Sequence, residues 1–387
     1  MNEKLNRRDF FRQCGRCALL GLSLDPFFLM TTRSHSHALS LKKGYIGRKL
    51  SPFFTPLAAE RIRCDLCPHG CEVEEGERGY CEVRENIGGR YYSLVYGNPC
   101  AVHVDPIEKK PFFHVLPSSR SLSIATAGCN FDCKFCQNWE ISQARPDDTQ
   151  NYELPPEQVV QLAEHYQCKS IASTYVEPTI FAEYMIDIGI VARNRGMLKV
   201  MHSNGYINSN PLRVLSEHLD AACIDLKAFT EAYYRDLTEG SLGPVLATLK
   251  QLKESGVHTE IVNLIIPGKN DETEQITAMC RWIKNELGPN VPLHFSRFYP
   301  LYKLKSLPPT PVSTLERARN IALKEGLHFV YIGNVPGHPG EHTDCPRCKA
   351  RLIQRWGYKV TILHLKQGSC DQCGQPIPGI WKLAQNS

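Results

Sequence analysis

The stretch that decides the fold is Ser121-Leu122-Ser123-Ile124-Ala125-Thr126-Ala127-Gly128-Cys129-Asn130-Phe131-Asp132-Cys133-Lys134-Phe135-Cys136-Gln137-Asn138-Trp139. Its first half is apolar and β-rich. Its second half is a C-x3-C-x2-C run, Cys129, Cys133 and Cys136, with an aromatic before the third cysteine. Thiolates hold iron–sulfur clusters, and a [4Fe–4S] cluster takes four of them. A compact set of three leaves one iron without a protein ligand. An open position on a metal is where chemistry happens, as in catalytic rather than structural zinc sites. The run follows a strand, where α/β enzymes carry reactive groups. A structural zinc knuckle is the competing reading, but zinc sites pair two close cysteines with two distant ligands, and the x3 spacing fits them poorly.

Working outward, 387 residues allow two or three domains and a sizeable core. The net charge of +5 is mild and indicates a solvated mixed surface, so no nucleic-acid partner is expected. Seventeen cysteines, an odd count mostly in C-x2-C pairs, argue for reduced metal sites over a disulfide framework. No apolar run reaches the roughly 18–20 residues that span a bilayer. Asn6-Arg7-Arg8-Asp9-Phe10-Phe11 is similar to a twin-arginine export signal, although Asp25-Pro26 interrupts the apolar region behind it. A cytoplasmic enzyme with a basic leader is the expectation and twin-arginine export the alternative. Residues 1–40 are set apart as that leader.

Residues 41–120 form an N-terminal cysteine-rich region. Cys64, Cys67, Cys71 and Cys81 have the spacing C-x2-C-x3-C-x9-C, and His69 could replace one of them. Four soft ligands close a zinc site or saturate a second iron–sulfur cluster, and spacing does not choose between the two.

Residues 121–335 alternate between two patterns. β-Branched runs lie at 121–127, 170–175, 198–203, 221–226, 258–266, 292–298 and 328–333. Amphipathic stretches lie between them at 156–166, 179–194, 211–218, 241–255, 272–287 and 313–325. Strand–helix alternation of this period implies an α/β protein with a parallel sheet. Residues 336–387 carry Cys345, Cys348, Cys370 and Cys373 as two C-x2-C pairs flanking short strand-like runs. This is a zinc-ribbon spacing, with a rubredoxin-like iron site as the alternative. A module so small draws its folding energy from the metal.

The Cys129–Cys136 loop resembles the signature of the radical S-adenosylmethionine (SAM) superfamily. The resemblance implies a partial (β/α)6 barrel whose open iron binds the amino and carboxylate groups of SAM. Phe135 matches an aromatic that packs near adenine. Glu177, in Ser173-Thr174-Tyr175-Val176-Glu177-Pro178-Thr179, matches the acid of a Gly-Gly-Glu-like strand end that receives the SAM amino group. Here Tyr175-Val176 replaces the two glycines, so the carbonyls of Thr174 and Tyr175 are alternative acceptors, and a helix N-cap is the structural alternative for Glu177. Ser203-Asn204-Gly205 resembles the Thr-Asn-Gly turn of glycyl-radical-enzyme activases, which lies beside SAM, although His202 stands where an acid is usual. Asp225-Leu226-Lys227 matches their Asp-Leu-Lys. Lys227 would pair with the SAM carboxylate and Asp225 would meet ribose or a cation, with a strand-end ion pair as the alternative.

Further motifs narrow the resemblance. Cys64-x2-Cys67-Pro68-His69-x-Cys71, Asp105-Pro106-Ile107-Glu108-Lys109-Lys110-Pro111, the loop through Trp139-Glu140-Ile141-Ser142, and the C-terminal cysteines look like the radical SAM enzyme of the AmmeMemoRadiSam system. That family is related to pyruvate formate-lyase activating enzymes. It implies a low-potential electron donor and Memo-like and AMMECR-like partner proteins, and it names no substrate. A glycyl-radical-enzyme activase is the second reading. A non-catalytic metal-binding or electron-transfer protein is the third.

Overall fold

The computed structural model describes residues 40–383. The leader and its arginine pair, Arg7-Arg8, lie outside the described residues.

The centre is an eight-stranded sheet. Its strands are β1 (Ala101–Pro106), β2 (Arg120–Ala125), β3 (Ser170–Ser173), β4 (Leu198–Ser203), β5 (Ala221–Asp225), β6 (His258–Ile265), β7 (Leu293–Arg297) and β8 (Val330–Gly333). Their order in space is their order in the chain. β2 to β8 are parallel, and β1 joins the β2 edge antiparallel. All seven expected strands are present. β1 was not expected, because Val102 and Val104 alternate with polar residues on a half-exposed strand and give only a weak period-two signal.

The connections are α1 (Pro156–His165), α2 (Ala182–Asn194), α3 (Ser209–Ser216), α4 (Glu231–Thr238), α5 (Leu242–Glu254), α6 (Thr273–Trp282) and α7 (Val312–Lys324). Pro156 takes the first position of α1 with Glu157 in its first turn, both favourable at a helix N-terminus. α6 runs on through a π turn, Ile283–Leu287. α4 was missed, because Tyr233 and Tyr234 dilute its helical signal. Thr230 caps α4 by accepting from the Tyr233 N–H, and the Glu231 carboxylate accepts from Leu242 and Gly243 at the start of α5. Helix residues such as Val160, Ile188, Leu249 and Leu315 are buried in one apolar cluster with Ile124, Ile171, Ile224 and Phe295 of the strands. Each strand is therefore covered on its outer face, as a parallel sheet requires.

The N-terminal region consists of short antiparallel ribbons, Phe54–Pro56 with Ile62–Cys64 and Glu72–Val73, and Lys49–Leu50 with Arg90–Ser93 and Arg84–Ile87. A buried ion pair ties it to α2. The Arg84 guanidinium meets the Glu183 carboxylate at 2.5 and 2.9 Å and also donates to Ile180 O and Ser51 Oγ. Fork-on-fork geometry with four of the five guanidinium donors used is what makes such a buried charge tolerable.

The C-terminal hairpin, Arg351–Trp356 with Lys359–Ile362, sits against the start of β8. A polar knot joins the two. Glu260 accepts from the Phe113 and His114 N–H groups and lies 2.7 Å from His294 Nε2. His114 contacts Pro378 O and Tyr331 Oη, and Arg355 donates to Phe113 O and Thr343 Oγ1. No helix among the described residues is long and apolar enough to cross a membrane.

Candidate active site

The carboxyl ends of the parallel strands open on a cavity of about 500 Å³. This is the edge at which α/β sheets bind ligands. Cys129, Cys133, Cys136, Phe135, Glu177, Ser203, Asn204, Asp225 and Lys227 all line it. The structure thus brings the cysteine triad and every residue expected at the cofactor into one space.

The cluster loop leaves β2 through Gly128, whose φ is +86°. A Cβ there would stand 2.5 Å from Val83 and 2.6 Å from the Cys81 carbonyl oxygen, so only glycine passes. Beyond it, the Phe131 N–H donates to Cys129 Sγ at 3.5 Å, and the Ser142 hydroxyl is 3.2 Å from Cys136 Sγ. Donors aimed at sulfur favour the thiolate and orient a ligand. Asn130 anchors the loop. Its Nδ2 donates to Tyr206 O, and its Oδ1 accepts from Asn204 Nδ2, both at 2.8 Å. Asn204 therefore locks the β4 turn to the cysteine loop while lining the cavity.

Glu177 is buried, and its carboxylate is heavily engaged. Oε1 accepts from the Thr179 N–H, Thr179 Oγ1 and Ser203 Oγ, and Oε2 from the Asn204 N–H. The N-cap geometry weighed above is present, and the same carboxylate staples the β3 end to the β4 end. Burial raises its pKa against these donors. Asp225 meets Lys227 Nζ at 2.9 Å and His202 Nε2 at 2.7 Å. Burial pushes Asp225 upward, and Lys227 and His202 more than reverse it, which holds the carboxyl below its usual range. The strand-end ion pair is thus formed, inside the cavity. Lys227 Nζ lies 5.6 Å from the Phe135 ring centre and is held well above its usual pKa despite burial, chiefly by Asp225 and then by Cys133.

Tyr175 has a φ of +69°, a left-handed conformation that is costly for a non-glycine residue. Its surroundings hold it. Its hydroxyl bonds to Asp105, Lys110 Nζ sits 4.0 Å from its ring centre, and its carbonyl accepts from Asn138 Nδ2 at 2.6 Å. Asp105 also pairs with Lys109 at 2.8 Å and Lys110 at 2.6 Å. Lys109, Lys110 and Asn138 line the cavity, with Tyr358 from the C-terminal hairpin. Sequence reasoning gave these residues no role. Asp105-Pro106-Ile107-Glu108-Lys109-Lys110-Pro111 was conspicuous as a motif, but its contact with Tyr175 is long-range.

The outer cysteines separate by geometry. Cys345, Cys348, Cys370 and Cys373 hold their sulfurs within 4.8 Å of one another, with pairs at 3.6 and 3.7 Å. Four thiolates about 2.3 Å from one ion span a tetrahedron with edges of about 3.8 Å, so this site fits one metal ion. Cys64, Cys67, Cys71 and Cys81 share a second neighbourhood. Burial raises the Cys67 thiol, and the charges of Cys64, Cys81 and Cys71 all act on it. No described cysteine is in a disulfide.

With this geometry, three thiolates around a cavity that also offers a carboxylate, an ammonium and an aromatic face suit an iron–sulfur cluster beside an amino-acid-bearing nucleoside. A profile of the Radical SAM superfamily matches residues 123–280. An uncharacterized protein of Methanocaldococcus jannaschii is 46% identical over 327 residues, 84% of this chain and 97% of that protein. A second protein of that archaeon, named provisionally as a glycyl-radical enzyme activating enzyme, is 25% identical over 43% of this chain and 64% of its own length. Among solved structures, a radical SAM methyltransferase from Sphaerobacter thermophilus gives a TM-score of 0.46 at 14% identity, over 72% of this chain and 76% of that one. Residues 123–280 form a radical SAM superfamily domain, and members of that superfamily are enzymes that use an iron–sulfur cluster and SAM.

Proposed function

We propose that this chain is the radical SAM enzyme of an AmmeMemoRadiSam system, working with a low-potential electron donor and with Memo-like and AMMECR-like partners. The motifs from Cys64 to Cys71 and from Asp105 to Pro111, together with the full Cys129–Ser142 loop, support that finer reading. The observation that carries the chemistry is the convergence of Cys129, Cys133 and Cys136 with Glu177, Asp225 and Lys227 on one cavity.

Cys129, Cys133 and Cys136 would hold the [4Fe–4S] cluster and leave its fourth iron to the amino and carboxylate groups of SAM. Held there, cluster and SAM would supply one-electron radical chemistry of the kind that takes a hydrogen atom from a substrate. The chain's own residues orient and enclose. Lys227 exchanges part of its Asp225 contact for the SAM carboxylate. The second lone pair of Glu177 Oε2, with the carbonyls of Thr174 and Tyr175, receives the amino group. Phe135 covers adenine, and Ser203 and Asn204 hold the neighbouring turn. Asp225, held below its usual pKa range chiefly by Lys227, meets the ribose hydroxyls. Cys345, Cys348, Cys370 and Cys373 bind zinc that folds the region from residue 336 onward, and residues 41–120 form a separate cysteine-rich region. The protein is expected in the cytoplasm, where SAM and low-potential electrons are available.

The test is deoxyadenosine formation by the anaerobically reconstituted, reduced protein, with and without the purified Memo-like and AMMECR-like proteins. Cleavage that rises with those partners supports the reading. Cleavage that responds only to a glycyl radical enzyme would favour the activase reading, which the distant similarity to the archaeal activating-enzyme homologue supports.

A further inference from the structure

We propose that Cys64, Cys67, Cys71 and Cys81 hold a second iron–sulfur cluster, and that it feeds electrons to the cluster at Cys129, Cys133 and Cys136. The electron-feeding half rests on the function proposed above. The metal assignment does not.

Sulfur spacing comes first. Among the described residues, the C-terminal quartet is the set of three or more potential ligands whose atoms all fall within 4.8 Å. The N-terminal four are near neighbours, but their sulfurs are not drawn together to the edge length of a single ion's tetrahedron. The triad of the cysteine loop likewise does not bring its three sulfurs within 4.8 Å of one another. Thiolates that each bind a different iron stand farther apart than thiolates on one ion, so the N-terminal set resembles the cluster site and not the zinc-like one.

Local backbone then supports a preformed cradle. The Cys64 N–H donates to Cys71 O at 2.8 Å, and the Tyr80 N–H points at Cys71 Sγ at 3.5 Å. Gly79 keeps the space open, since a Cβ there would lie 3.7 Å from Cys71 Sγ and 2.6 Å from Tyr91 Oη. Tyr91 is fully buried, and its hydroxyl has no hydrogen-bond partner among the described residues. A buried hydroxyl without a partner is costly, and a cluster sulfide or thiolate in this cradle would satisfy it.

Placement supplies the role. The Cys81 carbonyl and Val83 pack directly on Gly128, the residue before Cys129. Two residues beyond Cys67, His69 Nε2 contacts Asn130 O at 2.8 Å, between Cys129 and Cys133. The two sites are therefore separated by one layer of bonded contacts. Tyr80, beside Cys81, is 39% exposed and stacks on His69 at 4.3 Å, which gives this side a surface for a donor. The step moves one electron. A reduced carrier protein of the flavodoxin or ferredoxin class is oxidised, the N-terminal cluster is reduced and then reoxidised, and the cluster at the triad is reduced. No atom or proton changes hands.

The first experiment uses the full chain with Cys129, Cys133 and Cys136 all changed to Ala, reconstituted anaerobically with iron and sulfide. Acid-labile sulfide together with a reduced-state EPR signal that SAM leaves unchanged is the expected result. Zinc at this site without labile sulfide would overturn the assignment. The second experiment compares deoxyadenosine formation driven by reduced flavodoxin with that driven by dithionite, in the wild type and in Cys81→Ser. The ratio should fall by about tenfold or more in the variant. An unchanged ratio would overturn the electron-feeding role, and it would leave the sulfide and EPR result standing as a separate finding. Deoxyadenosine made by the triple variant would instead sink the triad reading and leave this one intact.

Discussion

The C-terminal quartet and the Cys129–Cys136 loop use the same ligand atom to opposite ends. The quartet draws four sulfurs into one small tetrahedron, with no ligand position left for a substrate. The triad supplies three thiolates on the wall of a cavity and surrounds them with buried charge, a Glu177 staple and the Asp225–Lys227–His202 group. A closed site serves folding, whereas an open site needs a rigid scaffold to hold its unsaturated face toward a ligand. The scaffold is visible in Gly128, Asn130 and Asn204, which fix the loop to its neighbours, and in Tyr175, whose strained backbone is held by Asp105 and Lys110.

The contrast breaks most sharply at the triad. Replacing Cys129, Cys133 and Cys136 together by Ala should reduce SAM cleavage to background while the C-terminal site keeps its metal. Deoxyadenosine assays and metal analysis on the same preparation check both halves. Persistent cleavage would remove the triad from the chemistry.

Cys370→Ser tests the other side. An incomplete tetrahedral site loses its ion, and a small module then loses its main stabiliser. Limited proteolysis should cut beyond about residue 336, and the central sheet should keep its melting transition. A tail that stays protease-resistant after metal loss would mean that the Glu260–His114–Arg355 knot, not the metal, holds it in place.

Lys227→Ala probes the cavity with a smaller effect. A charge-assisted contact contributes about 1.5–3 kcal/mol, or roughly ten- to a hundredfold in affinity. SAM binding should weaken by that factor while cluster assembly is unchanged. A lowered melting temperature with normal SAM affinity would make the Asp225–Lys227 pair structural only.

The scaffold itself offers the mildest test. Lys199 is buried, with Ser173 Oγ at 2.7 Å and backbone carbonyls as its partners, and burial lowers its pKa from 10.5 to about 7. Between those values the unfolded chain binds a proton that the folded chain does not, so this residue makes stability rise with pH across that window. Below about pH 7 its cost is fully present. Lys199→Met should therefore be more stable than the wild type by about 1–4 kcal/mol near neutrality. The advantage should shrink toward pH 10, and denaturant titrations at several pH values would read it. A constant difference across that range would contradict a depressed Lys199.

The parallel sheet and the C-terminal cysteine quartet were legible in the sequence, because these signals are local. β-Branched runs recur at a regular interval, and metal ligands cluster by spacing. Sequence did not carry what depends on distant partners. β1 is an antiparallel edge strand with a weak alternating pattern, and α4 is short and rich in tyrosine. Asp105, Lys109 and Lys110 act through Tyr175, which lies far along the chain, and only folding brings them together. Glu177 was legible as an acid at a strand end. That it would cap one turn and staple a second depended on Ser203 and Asn204, which no spacing rule connects to it.

The account turns on one claim, that the triad leaves an iron open to SAM. EPR of the reduced, reconstituted wild type, recorded before and after adding SAM, tests it most directly. The account predicts that SAM shifts part of the reduced-cluster signal, and that this responsive part is missing from the variant without Cys129, Cys133 and Cys136. A wild-type signal identical with and without SAM would contradict it.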